Sequence, residues 1–460
     1  MTSALREDTI SAISTPLGEG AIAVIRVSGK HALDCIRPIF KSSQPVDKKV
    51  SHRAVHGWIV DGSETIDEVV LTYFPGPHSY TGEDVVEISC HGGYYVPRRI
   101  LELVCKMGAR PALPGEFTQR AFLNGKMDLI QAEAVADLIR SKTEAGRKSA
   151  ILQLQGELSK KISRLRAQLI EISSLLELEL DFSEEDIVFA SREELIRKLD
   201  GILEEIQKLI SGFELGRIYR EGIRIVLIGK PNVGKSSLMN CLLEKERVLV
   251  TEIPGTTRDT VEDVLDISGV MAILTDTAGI RNTEDPIEKE SVKRAQQALD
   301  RADLVLFVLD TSSALSKEDI DLIEMVKEKQ KKVIFIFNKM DLPAQWEVSS
   351  LNLLENATIF RISALKKEGI SELLNALRRE VHFGAFQKDE VLLTNVRHKN
   401  ALESAMMKIT QARDTLKGGL SQEFVAVDLR GAMDDLAEIT GEIVTEEILE
   451  HIFSHFCIGK

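Results

Sequence analysis

The chain has 460 residues, of which 43% are hydrophobic and 28% charged, and its formal net charge is −14 at pH 7. That length predicts roughly two to four domains with real cores, and the acidic balance argues against a protein coated in nucleic acid while leaving room for a local basic patch or for RNA held by a partner. No run approaches the ~20 apolar residues of a membrane span, the start at Met1–Asp8 lacks the basic-then-apolar order of a signal peptide, and the scattered Cys35, Cys90, Cys105, Cys241 and Cys457, with no C-x-x-C, suit a reducing cytoplasm and argue against structural zinc.

In chain order, residues 1–120 predict a small α+β domain. Ala21–Val27, Glu68–Phe74 and Val85–Ser89 read as strands between glycine turns, and Ile100–Met107 as a helix. Arg26 and Glu87 interrupt apolar strands, and His91-Gly92-Gly93 follows the second of these. Two readings stand for this polar punctuation: a buried salt-bridge network, or pocket groups for an anionic, amide-rich ligand.

Residues 121–220 turn helical. Leu158, Ile162, Leu165, Leu169, Ile172 and Leu176 form a continuous apolar seam, and Ile202, Leu203, Ile206, Leu209, Ile210 and Phe213 a second stripe that ends in an acid-and-glycine stretch before Gly222. Helical spacing resumes in residues 384–460 with Leu402, Met406, Ile409 and Leu416, then Phe424–Glu438 and Glu446–Phe453. Each stripe predicts an intramolecular bundle, with a subunit interface open for one face. The economical reading is one helical domain with residues 221–383 inserted into it, since domain termini commonly lie close together.

The inserted stretch carries the chemistry. Strand-like Ile223–Ile228 feeds Gly229-Lys-Pro-Asn-Val-Gly-Lys-Ser236, and helix-like Ser237–Leu243 follows. This is the G-x-x-x-x-G-K-S loop: its glycines turn backbone N–H groups onto phosphates, Lys235 adds a point charge, and the Ser236 hydroxyl suits Mg²⁺. Strand-like Met271–Thr275 leads into Asp276-Thr277-Ala278-Gly279, whose acid suits a water-mediated Mg²⁺ contact and whose Gly279 N–H suits a γ-phosphate. Val305–Asp310 and Val333–Asn338 read as buried parallel strands. The second ends in Asn338-Lys339-Met340-Asp341, where Asp341 can accept from the ring N–H and exocyclic amine of guanine; adenine offers no such pair. Ser363-Ala364-Leu365 ends a further strand-like segment, Thr358–Ile362, and would cover the base edge. Gly255-Thr256-Thr257-Arg258-Asp259 supplies candidate switch threonines.

These ordered motifs resemble the translation-factor-like class of P-loop GTPases. Many small GTPases carry a water-orienting glutamine after D-x-x-G; here the residue is Ile280, which cannot do that. Asn232 is either a loop-stabilising amide or a ligand for a monovalent cation beside the β/γ-phosphates. Glu288 is either a solvated acid at a helix start or the group that orients water.

Taken whole, the chain resembles the MnmE (TrmE) family of bacterial tRNA modification GTPases over essentially its full length. The resemblance rests on Thr15–Gly29, Tyr80–Gly93, Pro114–Leu129 and the final Phe456-Cys-Ile-Gly-Lys460. It implies an N-terminal tetrahydrofolate-binding-like α+β domain (1–120) that mediates dimerisation, a helical domain (121–220 and 384–460) and a Ras-like α/β GTPase domain (221–383). It implies that GTP contacts Asn232, Val233, Gly234, Lys235, Ser236 and Ser237; Thr251, Glu252, Ile253, Pro254, Gly255, Thr256 and Thr257; Asp276, Thr277, Ala278 and Gly279; Asn338, Lys339 and Asp341; and Ser363, Ala364 and Leu365. Ser236 and Thr257 match Mg²⁺ ligands. Asn232, Thr251, Thr256 and the Ile253 carbonyl match a K⁺ shell, and Glu288 matches the catalytic glutamate. Arg26, Glu87, Lys126 and Lys460 match positions that bind a tetrahydrofolate derivative, formyl- or methylene-substituted. Cys457 matches a family cysteine whose role is chemical or packing. The implied activity is K⁺-activated GTP hydrolysis in a cytoplasmic homodimer that works with the flavoprotein MnmG, as a heterotetramer, on carbon five of the wobble uridine of tRNA held by the complex. A GTP-switched ribosome-assembly factor is the alternative, and a basic RNA-binding domain after the GTPase would mark it; an acidic helical segment stands there instead.

Overall fold

The computed structural model describes residues 8–44, 46, 51–181, 191–246, 262–276, 296–346, 357–381, 391–419 and 421–460. The chain divides into two compact units: Met1–Ala136, Gln153–Leu203 and Ala401–Lys460 form one, and Asp137–Leu152 and Glu204–Asn400 the other. Among the described residues no helix is long and apolar enough to cross a membrane.

The first unit is built on seven strands: β1 (Ile10–Ile13), β2 (Ile22–Ser28), β3 (Phe40–Lys41), β4 (Ala54–Asp61), β5 (Glu64–Phe74), β6 (Val85–His91) and β7 (Arg110–Pro111). They lie in the order β3-β4-β5-β6-β2-β1-β7, antiparallel except for the β1–β7 pair. Strand alternation sends Ala23, Ile25 and Val27 of β2 into one core with Ile100, Leu103 and Val104 of helix Tyr95–Lys106. The opposite face of β2 presents Arg26, which pairs in register with Glu87 of β6. The predicted strands are present, β5 starting four residues earlier than expected, while β1, β3, β4 and β7 are additional.

The apolar seam of helix Glu157–Asp181 is buried within the chain: Leu158, Ile162, Leu165, Leu169, Ile172 and Leu176 are all closed to solvent. Helix Gln422–Thr440 lies along it. Cross-helix ion pairs finish the bundle, among them Lys408 with Asp435 at 2.7 Å and Arg413 with Asp200 at 3.1 Å. The last helix, Glu446–Ser454, and Phe456 pack on Leu129 and Ala132.

The second unit holds a six-stranded sheet of β8 (Ile223–Ile228), β9 (Glu262–Ile267), β10 (Val270–Asp276), β11 (Leu304–Asp310), β12 (Lys332–Asn338) and β13 (Thr358–Arg361), ordered β13-β12-β11-β8-β10-β9. Every pair is parallel except the β9 edge. Alternate residues of β8, β11 and β12 divide between two cores, Ile225, Leu227, Leu306 and Ile336 on one face and Val226, Ile228, Phe307 and Phe335 on the other. That double burial explains their near-continuous apolar sequences. The acid-and-glycine stretch expected to end the second stripe is instead a helix, Phe213–Glu221. Its Gly216 faces the Leu393 carbonyl so closely that a Cβ would lie 1.9 Å from that oxygen, and Arg220 Nη1 donates to Thr394 O at 3.4 Å. The two ends of the Glu204–Asn400 segment therefore meet along one seam within this unit.

Candidate guanine-nucleotide site

The carboxyl ends of β8, β10, β11 and β12 converge, as open α/β sheets require of a ligand crevice. Helix Lys235–Glu246 begins at the end of the loop that leaves β8, so its free N–H groups add to that loop's pull on an anion. Lys235 is 4% exposed and its ammonium donates to the carbonyls of Gly229 and Lys230. Burial holds the Lys235 pKa below the ordinary lysine range, against the opposing pull of Asp276 and Glu318. Phosphate oxygens arriving beside it would reverse that balance. Ser236 Oγ donates to Asp276 Oδ2 at 2.9 Å, which brings a hydroxyl and a buried carboxylate from two motifs together. Asn232 is exposed on the loop and occupies the left-handed region at φ 63°.

Asn338 ties the phosphate end to the base end. It is 2% exposed; its Nδ2 donates to Val233 O at 2.8 Å and its Oδ1 accepts from Ala364 N at 3.0 Å. Ser363 Oγ donates to Asp341 Oδ1 at 2.6 Å. That hydrogen bond, ahead of the nearby Lys366 and Lys339 charges, holds the Asp341 carboxyl below the usual carboxylate range, so it stays an acceptor near neutrality. Leu365 is 83% exposed beside these groups. Ser237 is exposed on the helix's first turn, and Lys339 has a left-handed φ of 66°. The expected contacts at Thr251, Glu252, Ile253, Pro254, Gly255, Thr256, Thr257, Thr277, Ala278, Gly279 and Glu288 lie outside the described residues.

A second polar cluster occupies the first unit. Arg26 donates Nε to Glu87 Oε1 at 2.9 Å, with Nη2 2.8 Å from the same oxygen. Its guanidinium lies over Tyr80 at 5.1 Å and Phe117 at 5.7 Å from the ring centroids. Lys460 Nζ lies 5.6 Å from the Tyr80 centroid, and the Gly459 carbonyl accepts from Ser14 Oγ at 3.1 Å and from Arg26 Nη1 at 3.4 Å. Burial, then the Arg26 charge, lowers the Lys460 pKa while Glu87 opposes the shift. Arg26, Glu87 and Lys460 thus meet around Tyr80; Lys126 is exposed and its Nζ donates to Pro77 O at 3.0 Å. Cys457 is an exposed thiol, and its carbonyl accepts from Gly115 N at 3.5 Å.

Sequence reading missed Tyr80 and Phe117 as the aromatic walls of this cluster. It also missed the bridging role of Asn338, although Tyr80 opens the stretch Tyr80–Gly93 and Asn338 opens the base motif. Stacking partners on other elements give no local spacing signal.

Two family models match the chain: "GTP-binding protein TrmE N-terminus" over residues 9–126 and "MnmE helical domain" over residues 129–457. The chain is 45% identical over 458 residues to a tRNA modification GTPase MnmE of Clostridioides difficile, covering 99% of each. It is 44% identical over 463 residues to the protein of that name from Alkaliphilus oremlandii, again covering 99% of each. Among solved structures, Era in complex with MgGDPNP and a segment of 16S ribosomal RNA aligns at 29% identity over 40% of this chain and 66% of its own, with a TM-score of 0.28.

Proposed function

Because the chain belongs to the MnmE (TrmE) family of tRNA modification GTPases, and is thereby a GTP hydrolase that serves tRNA modification, we propose that it hydrolyses GTP with the aid of K⁺ rather than a glutamine. The observation that carries the nucleotide reading is the Asn338 bridge, which joins Val233 of the phosphate loop to Ala364 of the base loop in one hydrogen-bonded piece.

Ser236 and Thr257 would hold Mg²⁺, with Asp276 acting through water. The fit is good at the part on view, since a hydroxyl 2.9 Å from a buried carboxylate is a hard-oxygen pair of the kind Mg²⁺ prefers. Asn232 offers an amide oxygen from an exposed turn of the same loop; with Thr251, Thr256 and the Ile253 carbonyl it would hold K⁺. Bound Mg²⁺ offsets phosphate charge, and K⁺ beside the β/γ-phosphates supplies positive charge of the sort an arginine finger supplies elsewhere. Glu288 takes the water-orienting role that Ile280 cannot. Turnover is expected to be roughly tenfold or more faster in KCl than in NaCl, a modest share of the 10³–10⁵ that an arginine finger contributes. Steady-state phosphate release in the two salts tests this, and equal rates would remove the cation reading.

The Arg26–Glu87–Lys460 cluster supports a tetrahydrofolate derivative as its ligand, formyl- or methylene-substituted, with Lys126 reaching from the neighbouring loop. Cations suit the ligand's glutamate carboxylates and Glu87 its pterin amide. Arg26→Ala should weaken formyl-tetrahydrofolate binding roughly tenfold to a hundredfold by calorimetry, the worth of a charged hydrogen bond. Unchanged affinity in a variant that melts like the parent returns the cluster to a plain salt-bridge network. In full, the reading is a cytoplasmic homodimer that, with the flavoprotein MnmG, installs a carboxymethylaminomethyl-type group on carbon five of the wobble uridine of tRNAs held by the complex.

A further inference from the structure

Residues 310–319, the connection from β11 to helix Lys317–Glu328, touch both ends of the nucleotide site. At the start of this connection, Asp310 Oδ2 receives Lys339 Nζ at 2.7 Å. Its Oδ1 accepts from Ser312 N at 2.8 Å and Ser312 Oγ at 2.7 Å, which fixes the plane of the carboxylate. Its carbonyl accepts from Trp346 Nε1 at 3.1 Å, and Thr311 Oγ1 donates to Asn338 O at 2.9 Å. Lys339 sits in the base motif, so its stem is laid out by an acid that belongs to neither that motif nor any other.

At the far end, the Asp319 side chain is 1% exposed and receives Lys230 Nζ at 2.8 Å. The same oxygen, Oδ2, accepts from Ser316 N at 2.9 Å and Ser316 Oγ at 2.8 Å, completing the capping box of helix Lys317–Glu328. Asp319 Oδ1 is buried without a hydrogen-bond partner. A solvent-facing aspartate would cap this helix as well. Burying the carboxylate with one oxygen unsatisfied carries a desolvation cost that capping alone does not require. What the burial adds is a fixed anchor for Lys230, whose own carbonyl holds the ammonium of Lys235.

We propose that Asp310 and Asp319 are positioning residues for guanine nucleotide: through Lys339 and Lys230 they set the base loop and the phosphate loop on one rigid connection. Removing either charge loosens one end of that frame and leaves the atoms that react untouched. The inference rests on the guanine-nucleotide reading of the site, and binding of fluorescent GDP by the unaltered full-length chain tests that reading separately.

The experiment measures GDP dissociation by stopped flow, and KM and kcat for GTP, in full-length Asp310→Asn, Asp319→Asn, Lys230→Met and the Asp319→Asn/Lys230→Met double variant. Expected are a roughly tenfold faster GDP release and a matching rise in KM for each single variant, with kcat at saturating GTP held within about twofold. The double variant should lose no more than either of its parents, because they remove the same pair. Unchanged GDP release in the two asparagine variants overturns the proposal. So does a fall in kcat at constant KM, which moves these acids into the chemical step, and so does additive loss in the double variant. Should Asp319→Asn fail to fold, Lys230→Met, which alters a loop side chain rather than a buried one, carries the same test at that end.

Discussion

Gly234→Ala abolishes useful nucleotide binding. Gly234 has φ +98°, and a Cβ there would sit 2.2 Å from Asn338 Nδ2. Asn338 cannot withdraw, because it is enclosed and held at both ends by Val233 O and Ala364 N. The methyl therefore strains the loop, at about 1–3 kcal/mol, and breaks the bridge so that buried polar groups are stranded, at about 1–3 kcal/mol more. Together these amount to roughly a 30-fold to 10⁴-fold loss of GDP affinity. Titration with a fluorescent GDP measures it, with circular dichroism to show that the sheet is intact. Affinity within threefold of the parent would mean that the bridge is not what shapes the loop.

Asp341→Asn should turn a guanine site into one that prefers xanthine. Ser363 Oγ already donates to one Asp341 oxygen at 2.6 Å. A new amide that keeps Ser363 Oγ as its donor turns its oxygen to Ser363 and its NH₂ toward the base. Guanine then meets donor against donor at its exocyclic amine, whereas xanthine presents a carbonyl at that position. A site built around hydrogen bonds rejects the mismatched base by as much as about 10⁴-fold. Competition between GTP and XTP for turnover reads the change directly, and retention of GTP preference would show that Ser363 does not dictate which way the amide points.

Much of this was legible in the chain before its shape was known. Short apolar runs that end in Asp310 and Asn338 announce buried parallel strands, and the structure buries them on both faces. The seam from Leu158 to Leu176 foretold a bundle helix, and its burial within the chain settles what covers that face. Other elements were hidden for physical reasons. β9 is an edge strand, Glu262-Asp-Val-Leu-Asp-Ile267, whose polar residues disguise it. The helix Phe213–Glu221 was hidden by an acid-and-glycine stretch, in which Gly216 is required because another stretch of backbone approaches too closely for a side chain. The roles of Asp310 and Asp319 were invisible because each is defined by a lysine far away in sequence, Lys339 and Lys230.

The seam formed by Gly216 and Arg220 with Leu393 and Thr394 has a bearing on how much chain can lie between them. A segment whose two ends are already neighbours adds little loop-closure entropy to its host, however many residues lie between them. The seam thus lets the stretch between Arg220 and Leu393 change in length at little entropic cost to the residues on either side of it.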